Sequence, residues 1–174
     1  HLTTLAAFIS GIVSSQSTQL PKLAARLPAQ THPESRVKRL ARWLKNERVT
    51  NEVYFVPYAK ILLAHLALPT LVLVVDGSVV GRGCLALMLH VVYKGRALPV
   101  AWLVRSGKKG HFPEALHVAL LEQARPLIPP GARVVVLGDG EFDGTTLQAT
   151  LHAYGWSYVV RTGSHILVLW DGER

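Results

Sequence analysis

Two carboxylates stand where this chain could do chemistry. The apolar run 71–75 ends on Asp76, and the run 133–138 ends on Asp139. A β-branched and aliphatic run that stops on an acid reads as a buried strand delivering a carboxylate to the rim of a sheet. Two such acids on neighbouring strands make a hard, oxygen-rich site suited to Mg²⁺ or Mn²⁺. One acid at a strand end is more often a turn or helix cap, so the weight rests on the pair. Nineteen Lys and Arg against eleven Asp and Glu give a formal charge of +8. In that setting the pair points to metal-assisted chemistry on a phosphate backbone.

The elements that must position the pair follow from periodicity. Strands are expected over 71–76, 84–93 and 96–105, with Lys94-Gly95 as a tight hairpin turn. A helix runs from Pro113 to about Arg125, where Pro126, Pro129, Pro130 and Gly131 stop it. A strand over 133–138, a helix over 145–154 and a strand over 156–161 complete the order, and 165–170 reads as the start of another strand. Two hairpin connections followed by helical crossovers give an α/β fold, a mixed sheet with helices on its faces. This is the order of an RNase H-like core, in which the first and fourth strands are neighbours and Asp76 meets Asp139 at one edge. Another three-layer α/β arrangement is the alternative.

Residues 1–69 read as a small helical region, and 70–174 as the core. Helices are expected over 2–13 and 19–27, the second capped by Ser17, and Thr31-His32-Pro33-Glu34 opens a third. On the third helix Val37, Leu40, Ala41 and Leu44 make an apolar stripe, while Arg36, Lys38, Arg39, Arg42 and Lys45 fill the rest and Trp43 borders them. No acid interrupts 35–46, which favours contact with DNA phosphates over a merely solvated face. Lys108, Lys109 and His111 form a basic loop that could touch DNA, and Arg161 could hold a phosphate near the acids. Asp143, before Gly144-Thr145-Thr146, suits a helix N-cap, and Glu141 could support a neighbouring ligand.

Several classes are excluded. A hydrophobic fraction of 49% and mean hydropathy of +0.26 promise a sizeable core rather than disorder. The longest apolar run, 61–75, is too short to span a bilayer and carries His65 and Pro69, so a soluble protein with no membrane partner is expected. The single cysteine, Cys84, rules out a disulfide framework, and the eight histidines show no zinc spacing. Neither a Walker A loop, a dinucleotide fingerprint nor a nucleophile elbow is present.

Val74-Val75-Asp76-Gly77-Ser78 and Val136-Leu137-Gly138-Asp139-Gly140-Glu141-Phe142-Asp143-Gly144 resemble the catalytic stretches of DDE transposases of bacterial insertion sequences, in particular the insertion sequence 4 family. Trp156-Ser157-Tyr158-Val159-Val160-Arg161 is similar to the strand and arginine that come next, and residues 35–46 to the helical DNA-binding region before such cores. The resemblance implies a transposase that cleaves and transfers strands by two-metal phosphoryl transfer, with Asp76 and Asp139 as two of three acidic metal ligands and Mg²⁺ or Mn²⁺ as cofactor. It also implies transposon-end double-stranded DNA as partner, a homodimer in a synaptic complex, and a nucleoid-associated place in a bacterial cytoplasm. The third acid, a glutamate in a Tyr-x₂-Arg-x₃-Glu-x₆-Lys setting, has no match: Tyr158-x-x-Arg161 keeps the first spacing, but His165 stands at the glutamate position. A fragment that stops before the third acid is therefore expected. A metal-dependent nuclease on the same fold and an inactive DNA-binding remnant are the alternatives.

Overall fold

The computed structural model describes residues 2–28, 31–81, 83–107 and 112–163. The chain forms two compact units, His1–Pro57 and Tyr58–Arg174.

Among the described residues, four helices make the first unit: α1 (Leu2–Ser15), α2 (Leu20–Arg26), α3 (Pro33–Leu44) and the single turn α4 (Asn51–Tyr54). Phe8, Leu23, Ala24, Leu27 and Leu40 are its core, and Ala7, Leu20, Val37 and Trp43 pack against them. Gly11 lets α1 approach α2, since a Cβ there would stand 3.2 Å from the Leu23 Cβ. Pro33 occupies the first turn of α3 with Glu34 beside it, as expected. Two local expectations fail. The Ser17 hydroxyl accepts the Gln19 amide at 3.2 Å, a turn ahead of the helix, while Gln19 is the residue that caps α2. The inward face of α3 is Val37, Leu40 and Trp43, whereas Leu44 is 58% exposed. The indole wins because it meets Phe8 at 5.2 Å and Tyr54 at 5.9 Å between ring centroids, burying more apolar area than the terminal leucine could.

The second unit is built on a five-stranded sheet in the order β3-β2-β1-β4-β5. Its strands are β1 (Thr70–Gly81), β2 (Cys84–Tyr93), β3 (Arg96–Ser106), β4 (Arg133–Gly138) and β5 (Ser157–Val160). Strands β1, β2 and β3 pair antiparallel, and β4 and β5 run parallel to β1. This is the RNase H-like α/β architecture. Lys94 and Gly95 both take positive φ, 47° and 72°, the backbone of a two-residue turn whose twist matches its strands. Helix α5 (Val56–Leu66) leads into β1, α6 (Glu114–Ala124) follows β3, and α7 (Thr145–Ala153) joins β4 to β5. Leu71, Leu73 and Val75 alternate inward on β1, and Leu87, Leu89, Val91, Val134 and Val136 continue the same face on its neighbours. Helix α6 covers that face over β2 and β3.

The first strand is longer than its apolar run. It passes Asp76 and continues to Gly81, paired among the described residues with β2 alone, from Asp76↔Met88 to Gly81↔Cys84. Residues 76–81 are exposed, so ladder hydrogen bonds rather than burial hold them extended. Asp76 is therefore mid-strand, and the rim it occupies is the one created where β4 ends.

Candidate two-carboxylate site

Register brings the two acids together. The parallel pairing of β1 with β4 runs from Thr70↔Arg133 to Val74↔Leu137 without a shift. Asp76 lies two residues beyond Val74, and Asp139 two beyond Leu137, so they are equivalent positions on adjacent strands. Asp139 keeps an extended backbone, with φ −81° and ψ −167°. Side chains two apart on a strand share a face, so both carboxylates project from the face of Val72, Val74, Val135 and Leu137. Adjacent strands lie about 4.8 Å apart, which sets the scale of the gap. Both residues are exposed. The chain leaves β1 toward β2 on one side, while β4 and β5 lie on the other; ligands of open α/β sheets gather at the strand ends of such a switch.

Each carboxylate has one oxygen held. The Ser78 hydroxyl donates to Asp76 Oδ2 at 3.2 Å, and the Glu141 amide donates to Asp139 Oδ1 at 2.9 Å. Paired, exposed carboxylates of this kind fit Mg²⁺ or Mn²⁺, which keep waters and take one or two carboxylates alongside phosphate oxygens. No cluster of three metal-ligating side chains occurs among the described residues.

Behind the pair, on the α6 face, lies a set of packed side chains whose partners come from distant parts of the sequence. Gly138 sits so close to Phe142 that a Cβ would come within 2.8 Å of the Phe142 Cβ. Phe142 packs against the buried His117, ring centroids 4.8 Å apart and planes tilted by 55°. His117 Nε2 lies 3.9 Å from Glu141 Oε1, and both of its ring nitrogens are buried without a hydrogen bond. Burial depresses its pKa, opposed by the negative charges of Glu141 and Glu114. His117 is thus a neutral core histidine. Asp143 does not cap α7: Gly144 is the N-cap residue and offers no side chain. The cap comes from Glu114 on α6, whose Oε1 accepts the Leu147 amide at 2.8 Å. That bond holds the Glu114 carboxyl below its usual range. A Cβ at Gly144 would overlap the Glu114 carboxylate, which is why glycine stands there.

The basic residues fall in different places. Lys38, Arg39 and Arg42 are exposed on α3 and Lys45 at its C-cap, whereas Arg36 is half-buried and donates to the Leu27 carbonyl at 2.8 Å. Arg39 and Arg42 line a cleft of about 240 Å³ with Thr4, Trp43 and Asn46. Arg161 is exposed, and its amide donates to the Gly138 carbonyl at 3.2 Å, alongside the loop that carries Asp139. Lys108, Lys109, His111 and His165 lie outside the described residues. No described helix is long and apolar enough to cross a membrane.

No protein-family model matches this sequence, and no curated protein does. Among solved structures, the catalytic domain of Mos1 mariner transposase is similar at 13% identity over 69% of this chain and 64% of that one, with a TM-score of 0.41. The Mos1 transposase catalytic domain with Raltegravir and Mn is similar at 12% identity over 63% and 60%, also with a TM-score of 0.41. The Mos1 strand transfer complex is similar at 13% identity over 92% and 58%, with a TM-score of 0.38. The chain thus spans 58–64% of the length of these proteins.

Proposed function

We propose that this chain is a DNA transposase, or part of one, of the kind found in bacterial insertion sequences, with Asp76 and Asp139 as two of its acidic metal ligands. One observation carries the reading: the equal register of the two aspartates on the parallel β1–β4 pair of an RNase H-like sheet. When bound there, Mg²⁺ or Mn²⁺ neutralises phosphate charge and activates the attacking hydroxyl. The protein's own part is positional. Asp76 and Asp139 present oxygen donors, with Ser78 and the Glu141 amide fixing their orientation. Arg161 offers a cation to the DNA backbone beside Asp139. Lys38, Arg39, Arg42 and Lys45 hold double-stranded DNA by its phosphates. The resemblance to the insertion sequence 4 family adds transposon ends as the DNA bound, a homodimer as the assembled form and a nucleoid-associated location.

The test is Mn²⁺ binding followed by electron paramagnetic resonance, beside plasmid nicking. Wild-type protein is expected to bind Mn²⁺, and Asp76→Asn or Asp139→Asn to lose it while still binding DNA. Binding that survives both substitutions overturns the reading. Nicking without preference for terminal-repeat DNA would indicate a metal-dependent nuclease on the same fold. DNA binding with neither Mn²⁺ affinity nor nicking would indicate an inactive remnant.

A further inference from the structure

We infer that Glu141 is a positioning residue, tying the loop that carries Asp139 to the strand that carries Asp76; the inference rests on the two-carboxylate reading above. Its carboxylate lies on the far face of the sheet from the aspartates. Glu141 Oε1 accepts the Phe112 amide at 2.5 Å, at the entrance to α6. The Phe112 ring is buried and sits over Gly77, the residue after Asp76: a Cβ on Gly77 would meet Phe112 Cε2 at 3.0 Å and Glu141 Oε2 at 3.6 Å. The glycine therefore admits the Phe112 ring against the back of β1, with the Glu141 carboxylate in contact beside it.

At its other end Glu141 reaches the second aspartate through its own backbone, whose amide donates to Asp139 Oδ1. A continuous path thus runs from Asp139 through the Glu141 amide and carboxylate to Phe112, Gly77 and Asp76. The β1–β4 ladder ends at Val74↔Leu137, two residues short of the acids. Past the end of that ladder, the Glu141 tie crosses from the Asp139 loop to β1. His117, 3.9 Å from Glu141 Oε1 and braced by Phe142, closes the inner side of the carboxylate. Glu141 is only 17% exposed in its side chain, so its rotamer is set by packing.

The test is Mn²⁺ affinity in Glu141→Ala, Glu141→Gln and Gly77→Ala, each checked for an intact fold by its melting temperature. Groups that orient metal ligands typically change affinity about 10- to 100-fold when removed. Glu141→Ala is expected to weaken Mn²⁺ binding about tenfold at temperatures where it is fully folded. Glu141→Gln keeps an oxygen for the Phe112 amide and is expected to stay within about threefold of wild type, well short of that loss. Gly77→Ala, whose Cβ presses the Phe112 ring back by a few tenths of an ångström and only touches Glu141, is expected to weaken binding in the same direction as Glu141→Ala but by less. It also keeps the question answerable if Glu141→Ala fails to fold. Wild-type affinity in the folded Glu141→Ala or Gly77→Ala protein overturns the inference alone. Equal losses in Glu141→Gln and Glu141→Ala overturn it too, because Glu141 would then act through charge. Wild-type protein that binds no Mn²⁺, or whose binding survives Asp76→Asn, sinks the metal reading and this inference together.

Discussion

Replacing Glu114 by alanine tests whether α7 is capped from across the domain. The Glu114 carboxylate accepts the Leu147 amide at 2.8 Å, the third residue of α7, where a capping side chain normally reaches. No local side chain can substitute, because the N-cap position is Gly144. Loss of such a cap costs about 0.5–2 kcal/mol, and a charged acceptor lies toward the upper part of that range. Partial exposure brings it back, so about 1–1.5 kcal/mol is expected, or roughly 2–6 °C in melting temperature for a chain of this size. The pH dependence is the sharper criterion. The Glu114 carboxyl titrates below its ordinary 4.5 in the folded protein, chiefly because of the Leu147 amide. A group with a depressed folded value contributes its full stability above the unfolded value and loses it as pH falls through the folded one. Wild type and Glu114→Ala should therefore differ most above about pH 5 and converge toward acid, in thermal melts followed by circular dichroism. Glu114→Gln should lose less than half as much, with no convergence. A Glu114→Ala protein that melts with wild type at neutral pH, or a deficit that persists unchanged in acid, refutes the cap.

Three more perturbations bear on the site and the helical unit. Asp76→Asn removes one of two like charges facing each other at equal register, so without metal it should raise the melting temperature by about 1–3 °C; added Mn²⁺ should stabilise wild type only. A metal-free variant that melts below wild type would contradict the facing of the two acids. His117 is buried and its pKa lies below the ordinary 6.5, desolvation outweighing the two nearby carboxylates. The unfolded chain then binds the extra proton, so stability should fall as pH drops below about 6.5, and His117→Leu should remove that slope in urea titrations between about pH 7 and 5. A slope identical in both proteins would place the titration elsewhere. Arg39→Ala with Arg42→Ala should weaken DNA binding and lower the slope of log affinity against log salt by about one for each phosphate no longer neutralised. An unchanged slope removes α3 from the phosphate interface.

What can be read from residues alone follows the range of the interactions. Strands β2 and β4 are legible to the residue, because aliphatic runs end at turn signals and burial on the sheet decides them. The sheet order is legible because Lys94-Gly95 fixes a hairpin and the helical segments demand parallel returns. Asp76 and Asp139 are legible as a pair for the same reason, each closing a run. The extension of β1 to Gly81 is not, since Gly77, Ser78 and Gly81 carry turn chemistry and only pairing with β2 holds them extended. The partners that seat Trp43 against the core are not legible, because Phe8 and Tyr54 come from other helices. Asp143 has the right local signature for a cap and loses to Glu114, 33 residues away from Leu147 along the chain. Glu141 meets the Phe112 amide across 29 residues. The asymmetry is physical. The two exposed candidate ligands each close an apolar run, where local pattern marks them. Glu141, Phe112 and Glu114 make their contacts behind the sheet, and only the fold brings their partners near. The candidate ligands of this chain are therefore visible in its sequence, while the contacts that would set their spacing are visible only in the folded chain.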